Sequence, residues 1–255
     1  MRSAIYVFFA LLVTVTAGAQ EKTKSIHVFV ALCDNEHQGI VPVPKKLGNG
    51  DDPNNNLYWG ALYGTKTFFK RSKDWKLVAT EKKPTDVVLE RIVFRHTATR
   101  SHLVADAYRG LKIKNAVEDF LSAAAGNGPR TLKLGEDRIG IGGGADLAVY
   151  VGHNGLMDFT LEQPKRQKGR SAKAAIVLAC KSKPYFQPRL AKLRSKSVLL
   201  TTGFMAPEAY TLEAAVVGWL SGEAGEKIRE RAARAYDKYQ KCGLKAARRL
   251  FYSEG

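Results

Sequence analysis

Two short apolar runs, each ending in a reactive side chain, constrain the fold of this chain more than any other feature. The first spans Asp146 to Gly152 and is followed by His153, and the second spans Ala174 to Ala179 and is followed by Cys180. Nearly continuous apolar residues are typical of strands that are buried on both faces of a sheet. If the two strands are parallel neighbours, their C-terminal ends lie roughly 5 Å apart. Ligands bind beyond those ends in open α/β sheets, so we expect an imidazole and a thiol in one crevice.

The rest of the chain alternates between strand-like and helix-like patterns. The predicted strands are Ile26 to Cys33, Trp75 to Ala79, Val87 to Phe94 and Ser197 to Gly203. The predicted helices are 57–70, 184–194, 207–219, 226–240 and 244–251. A further helical region is predicted to open at His102 and to continue to residue 124. The glycines at 140–144 are interpreted as a turn. This alternation predicts an α/β fold with a mostly parallel, doubly wound sheet.

The first residues have a different composition from the rest of the chain. Arg2 precedes an apolar run from Ala4 to Val15, and small residues follow at 17–19. This pattern is typical of a secretory signal peptide, and the run is too short to span a membrane. We therefore expect residues 1–19 to be a signal peptide and residues 20–255 to form a single domain, secreted or periplasmic, with no integral membrane segment in the mature chain.

Export makes the cysteine count informative, because an oxidising compartment favours disulfides. Cys33, Cys180 and Cys242 allow at most one intramolecular bridge. A bridge between Cys33 and Cys242 would leave Cys180 free. Three unpaired, buried thiols are an equally acceptable alternative.

The formal net charge of +17, with a pI near 9.8, is the other global feature. It favours an anionic surface partner, such as a cell-surface polymer, a nucleic acid or an acidic protein. The lysines and arginines are spread over several segments without regular aromatic interleaving, and no nucleic-acid-binding motif is present. A solubilising surface is the simpler interpretation.

The two reactive strand ends also resemble a known family. Three buried strands follow one another along the chain: the first ends in His153, the second in Ala179-Cys180 and the third in Thr201-Thr202-Gly203. This pattern resembles the caspase-like superfamily of cysteine peptidases, which includes caspases, legumains and gingipains. The resemblance implies a three-layer sandwich with a mostly parallel, doubly wound sheet of about six strands. It also implies a catalytic dyad of Cys180 and His153.

The same resemblance implies roles for residues around the dyad. The family has a glycine directly after the histidine, and the N–H of that glycine helps to form the oxyanion hole. In this chain Asn154 stands between His153 and Gly155. The oxyanion donors would therefore be the backbone amides of Asn154 or Gly155 and of Cys180. The loops after the strands that end near Cys33 and Thr202 would line the substrate pocket. The candidate substrate-binding residues there are Asp34, Glu36, Thr202 and Gly203, and the acidic ones, with Glu208, would favour a basic side chain.

The chemistry of a thiol beside an imidazole predicts an exported cysteine hydrolase that acts on a peptide or protein substrate through a thioester. It requires no cofactor and no metal. Cys33 also ends a strand and is a rival nucleophile. An isolated cysteine at a strand end is usually only a small core residue. Two non-enzymatic alternatives therefore stay open: a catalytically idle caspase-like binding module and a basic surface protein that binds polyanions.

Overall fold

The computed structural model describes residues 23–254, which are organised around one large sheet. The strands are β1 Ser25–Ala31, β2 Trp75–Lys82, β3 Val88–His96, β4 His102–Tyr108, β5 Pro129–Leu134, β6 Asp137–Gly142, β7 Leu147–Val151, β8 Ala174–Leu178, β9 Lys196–Thr201 and β10 Phe251–Tyr252. The α-helices are α1 Thr65–Arg71, α2 Ile113–Ala124, α3 Ser182–Lys192, α4 Ala209–Leu220, α5 Gly225–Gln240 and α6 Leu244–Leu250.

The large sheet has eight strands in the order β10-β9-β8-β7-β1-β4-β3-β2. The five central strands, from β9 to β4, are parallel to one another. The outer pairs β10·β9, β4·β3 and β3·β2 are antiparallel. The α/β class and the parallel core agree with the sequence, but the sheet is mixed and wider than the expected six strands. Strands β2 and β10 form its two edges.

The strands predicted from continuous apolar runs are confirmed. All seven residues of β1 and all five of β7 are buried, because both strands lie inside the sheet and are covered on both faces. Strand β7 pairs with β1 on one side and with β8 on the other. The two runs that end in His153 and Cys180 are thus adjacent parallel strands.

Helices cover both faces of the sheet, which gives three layers. On one face, Phe69 of α1, Leu212 of α4 and Ile228 of α5 share a core with the apolar side chains of the central strands. On the other face, Phe120 of α2 and Phe186 of α3 pack against Phe29 and Tyr150. The alternation of side chains along each strand supplies both cores.

Two predicted helical regions are confirmed only in their C-terminal parts. The region that opens at His102 begins with strand β4, and the helix starts only at Ile113. The first predicted helix is confined to α1, because residues 57–64 form turns. The segment around the 140–144 glycines also holds more than a turn, since β5 and β6 form a separate antiparallel hairpin there.

The proposed signal peptide, residues 1–19, lies outside the described residues. Within 23–254, no helix is both long and apolar enough to cross a membrane.

Candidate functional site

The register between β7 and β8 brings the two reactive residues level with each other. Val151 pairs with Leu178, and the next N–H, that of Gly152, donates to Leu178 O at 3.2 Å. Two residues further along each strand are His153 and Cys180. Neighbouring strands lie about 4.8 Å apart, so the two backbones leave the sheet side by side. The side chain of Asn154 also links the ends of β7 and β8, since its Nδ2 donates to Cys180 O at 2.8 Å.

Gly152 allows the chain to leave β7 at this point. Its φ of +147° is unfavourable for residues with a side chain. A Cβ atom there would lie 2.9 Å from Ala31 O of the neighbouring strand β1. The glycine therefore permits both the turn toward His153 and close packing against β1.

Cys180 is held on a sharp turn between β8 and α3. Lys181 has a left-handed backbone with φ +48°, and its N–H donates to Gly203 O at 2.7 Å. The Cys180 thiol is half-buried, and its Sγ lies 3.4 Å from both the N and the O of Met205. The thiol is thus fixed by the loop after β9 while part of it remains accessible.

The His153 ring is nearly buried and is oriented by a carboxylate. Nε2 lies 2.7 Å from Asp158 Oδ2, with 6% of the histidine side chain exposed. The same oxygen of Asp158 accepts the Gly39 N–H at 3.0 Å. Within residues 23–254, Nδ1 makes no hydrogen bond, and none joins the ring to the Cys180 thiol. A neutral ring that donates from Nε2 to Asp158 leaves the Nδ1 lone pair free to take a proton.

Asp158 is a residue that the sequence analysis missed. It lies in a loop five positions after His153, where an acidic residue usually caps a turn, so no pattern singled it out. A Cβ at position 39 would lie 2.6 Å from Asp158 Oδ1, so a larger residue there would displace this carboxylate. A histidine, a carboxylate and a nearby thiol form the arrangement in which a base is oriented by a third group.

The amides predicted to bind an oxyanion differ in their availability. The Gly155 N–H donates to His153 O at 3.0 Å and closes the turn. The N–H groups of Asn154 and Cys180 donate to no acceptor in the described part of the chain. Asn154 is fully buried, whereas Cys180 is partly exposed, so the Cys180 N–H is the better oxyanion candidate.

The acidic residues predicted to bind substrate line a small cavity after β1. Asp34 and Glu36 contribute to the wall of a cavity of about 220 Å³, together with Asp51 and Lys45. The Asp34 carboxylate already accepts hydrogen bonds from the Glu36 and His37 backbone, at 2.9 and 3.2 Å. Asp34 therefore shapes its own loop, and Glu36 is the exposed carboxylate of the pair.

The two residues predicted at the end of β9 lie on the loop that holds Cys180. Gly203 O accepts from Lys181, whereas the Thr202 hydroxyl donates to Arg249 O at 2.6 Å. Thr202 is thereby fixed to the C-terminal helix. Between Thr202 and Met205, the exposed ring of Phe204 lies 4.4 Å from Lys181 Nζ and is a further candidate for substrate contact.

The rival nucleophile Cys33 is in a different environment. It is fully buried, and burial raises the pKa of its thiol to about 11, against the opposing effect of the Tyr58 hydroxyl. A thiol with such a pKa is almost entirely protonated at neutral pH and is a weak nucleophile. All three cysteines are free, and Cys242 is exposed. Among the three, Cys180 alone combines partial access with a histidine on the adjacent strand end.

Residues 23–254 contain no group of three or more His, Cys, Asp or Glu side chains arranged to hold a metal ion. Comparisons of the chain with protein-family models, with curated proteins and with solved structures found no match.

Proposed function

We propose that this protein is an exported cysteine hydrolase that acts on peptide bonds, with Cys180 as nucleophile and His153 as general base. The observation that carries the proposal is the level placement of the two residues beyond adjacent parallel strands, with Asp158 holding the imidazole by Nε2. The other ring nitrogen is left free for the thiol proton. A three-layer α/β fold with a parallel core is compatible with the caspase-like resemblance, which remains part of the proposal.

The reaction would proceed through two covalent steps. His153 Nδ1 takes the proton of Cys180 as Sγ forms a bond to the substrate carbonyl carbon. The oxygen of that carbonyl becomes an oxyanion, and the Cys180 amide would stabilise it by about 3 kcal/mol. The C–N bond then breaks, and His153 returns the proton to the leaving amine. Water, deprotonated by His153, hydrolyses the thioester and releases the acid with a free thiol.

Hydrolysis of a library of fluorogenic peptide reporters tests this proposal. We expect turnover by the wild-type protein, and a loss of about a thousandfold or more in Cys180→Ala and His153→Ala, because each removes one member of a unit that acts together. Cys242→Ala is the matched control, since it removes an exposed thiol outside the site and should retain full activity.

Three results would contradict the proposal. The first is no hydrolysis of any reporter by the folded wild-type protein. The second is activity that survives Cys180→Ala, and the third is an equal loss in Cys242→Ala. Activity that disappears in a Cys33→Ala protein of unchanged thermal stability, but persists in Cys180→Ala, would assign the reaction to Cys33.

A further inference from the structure

A second cavity lies on the helical face of the molecule, between α1, α4 and α5. Its volume is about 350 Å³, which is within the range of small-molecule sites. The lining residues are Leu62, Tyr63, Phe68, Arg71, Ser72, Glu213 and Tyr239. None of these residues takes part in the site proposed above.

The apolar wall of this cavity is a rigid cluster of aromatic rings. Tyr239 packs edge-to-face with Tyr63 and with Phe68, at centroid distances of 5.2 and 6.1 Å. It also stacks on Tyr210 at 4.3 Å, with an interplanar angle of 9°. Interlocked rings of this kind are already ordered before a ligand arrives, so binding between them costs little conformational entropy. The half-exposed Leu62 side chain completes the wall.

The polar wall carries two groups of opposite charge, a half-buried glutamate and an exposed arginine. Oε1 of Glu213 is buried and has no hydrogen-bond partner within residues 23–254. Burial raises the pKa of this carboxyl, against the opposing effect of Ser72. Arg71 lines the same cavity from its solvent-exposed rim and forms no ion pair in the described part of the chain. A buried carboxylate oxygen that lacks a hydrogen-bond donor lowers the stability of the protein, and a ligand that supplies a donor removes this penalty.

We propose that this cavity binds a free α-amino acid with an aromatic or large aliphatic side chain. The ligand ammonium would donate to Glu213, the ligand carboxylate would accept from Arg71, and its side chain would pack against Tyr63, Phe68 and Tyr239. A ligand with only a positive charge would pair with Glu213 but would be repelled by Arg71. A ligand with only a negative charge would pair with Arg71 but would be repelled by Glu213. A zwitterion is the class of ligand that matches both.

Calorimetric titration of the purified protein with three probes tests the inference. The probes are L-phenylalanine, N-acetyl-L-phenylalanine, which lacks the ammonium, and L-phenylalanine amide, which lacks the carboxylate. We expect L-phenylalanine to bind at least about tenfold more tightly than either analogue, because each analogue leaves one charged wall unpaired. No detectable binding of L-phenylalanine at millimolar concentration, or equal binding of all three probes, would overturn the inference.

Conservative variants locate the binding to this cavity. In Glu213→Gln the difference in affinity between L-phenylalanine and N-acetyl-L-phenylalanine should largely disappear. In Arg71→Gln the difference between L-phenylalanine and L-phenylalanine amide should largely disappear. The matched controls are Glu136→Gln and Arg138→Gln, which change exposed residues on the β5–β6 hairpin and should preserve the wild-type ranking. Unchanged discrimination in the cavity variants, with thermal melting near that of the wild type, contradicts the assignment. Cys180→Ala should bind L-phenylalanine normally, which separates this site from the proposed catalytic one.

Discussion

At the scale of single residues, two histidines with similar surroundings have different capacities. His27 Nε2 lies 3.1 Å from Asp106, and its Nδ1 accepts the Gly142 N–H at 3.0 Å, so both ring nitrogens are engaged. His153 also faces a carboxylate through Nε2, but its Nδ1 is free within the described residues. The difference arises because His27 lies inside the sheet, whereas His153 lies beyond the end of a strand. A ring with a free nitrogen can accept a proton, and a fully engaged ring is structural.

The role of Asp158 as a positioning residue gives a prediction at this scale. In Asp158→Asn we expect kcat for peptide reporters to fall at least about tenfold with little change in KM, because an amide can hold the wrong tautomer of His153. Steady-state kinetics across pH measures this effect. Asp86→Asn is the matched control, because Asp86 is exposed and forms no ion pair in residues 23–254.

A merely structural role for Asp158 would give a different result. In that case its replacement would lower thermal stability and change KM as much as kcat. Full activity in Asp158→Asn would remove this residue from the mechanism. It would also leave the orientation of His153 without an explanation.

At the scale of elements, strand β4 shows where sequence patterns stop being sufficient. Strands β1, β7 and β8 were predicted because apolar residues fill both of their faces. Strand β4, which carries His102 and Asp106, was predicted as the start of a helical region. Asp106 is buried inside the sheet by partners from distant segments: Arg91 of β3 donates to its two oxygens at 2.7 Å each, and His27 of β1 lies beside it.

This buried network stabilises the sheet, and its contribution depends on pH. Burial alone would raise the pKa of Asp106, but the hydrogen bonds and charges of His27 and Arg91 lower it to about 2. The stabilisation is therefore present above about pH 4, the ordinary range of an aspartate in an unfolded chain. It is lost as the pH falls toward 2, where the native carboxylate takes up a proton.

Removal of the guanidinium should expose this dependence on buried charge. We expect Arg91→Met to lower the free energy of unfolding at neutral pH by about 3 kcal/mol, because Asp106 would lose its bidentate partner without gaining access to water. Urea denaturation provides the measurement. Arg95→Met, a change on the same strand at a residue without an ion pair in the described chain, should cost less than about 1 kcal/mol. Equal losses in the two variants would mean that the packing of the long side chain matters more than its charge.

At the scale of the whole molecule, the sequence predicts the positions of the reactive residues better than their surroundings. Cys180 and His153 follow from strand order, since the ends of parallel strands share one edge. Asp158 and Met205 lie in loops whose path depends on contacts with distant segments, Gly39 among them. The extra width of the sheet has the same origin, because the two-residue β10 forms only by pairing with β9.

The charge of the molecule is also distributed in a way that composition does not reveal. A cleft of about 450 Å³ beside β10 is lined by Arg229, Lys245, Arg248 and Arg249 together with Phe251 and Tyr252. Arg248 is paired with Glu230 and Arg229 with Glu226, whereas Lys245 and Arg249 form no ion pair within residues 23–254. An anionic partner remains a prediction, and this cleft would offer it two unpaired cations, Lys245 and Arg249.

The most direct test of the central claim is to map the adduct that a peptide ketone electrophile forms with the protein. The Cys242→Ala protein is suited to this, because its exposed thiol can no longer react. Mass spectrometry of the digested protein should place a single adduct on the peptide that contains Cys180, and His153→Ala in the same background should abolish it. An adduct on Cys33, or one on Cys180 that forms at the same rate without His153, would contradict the account.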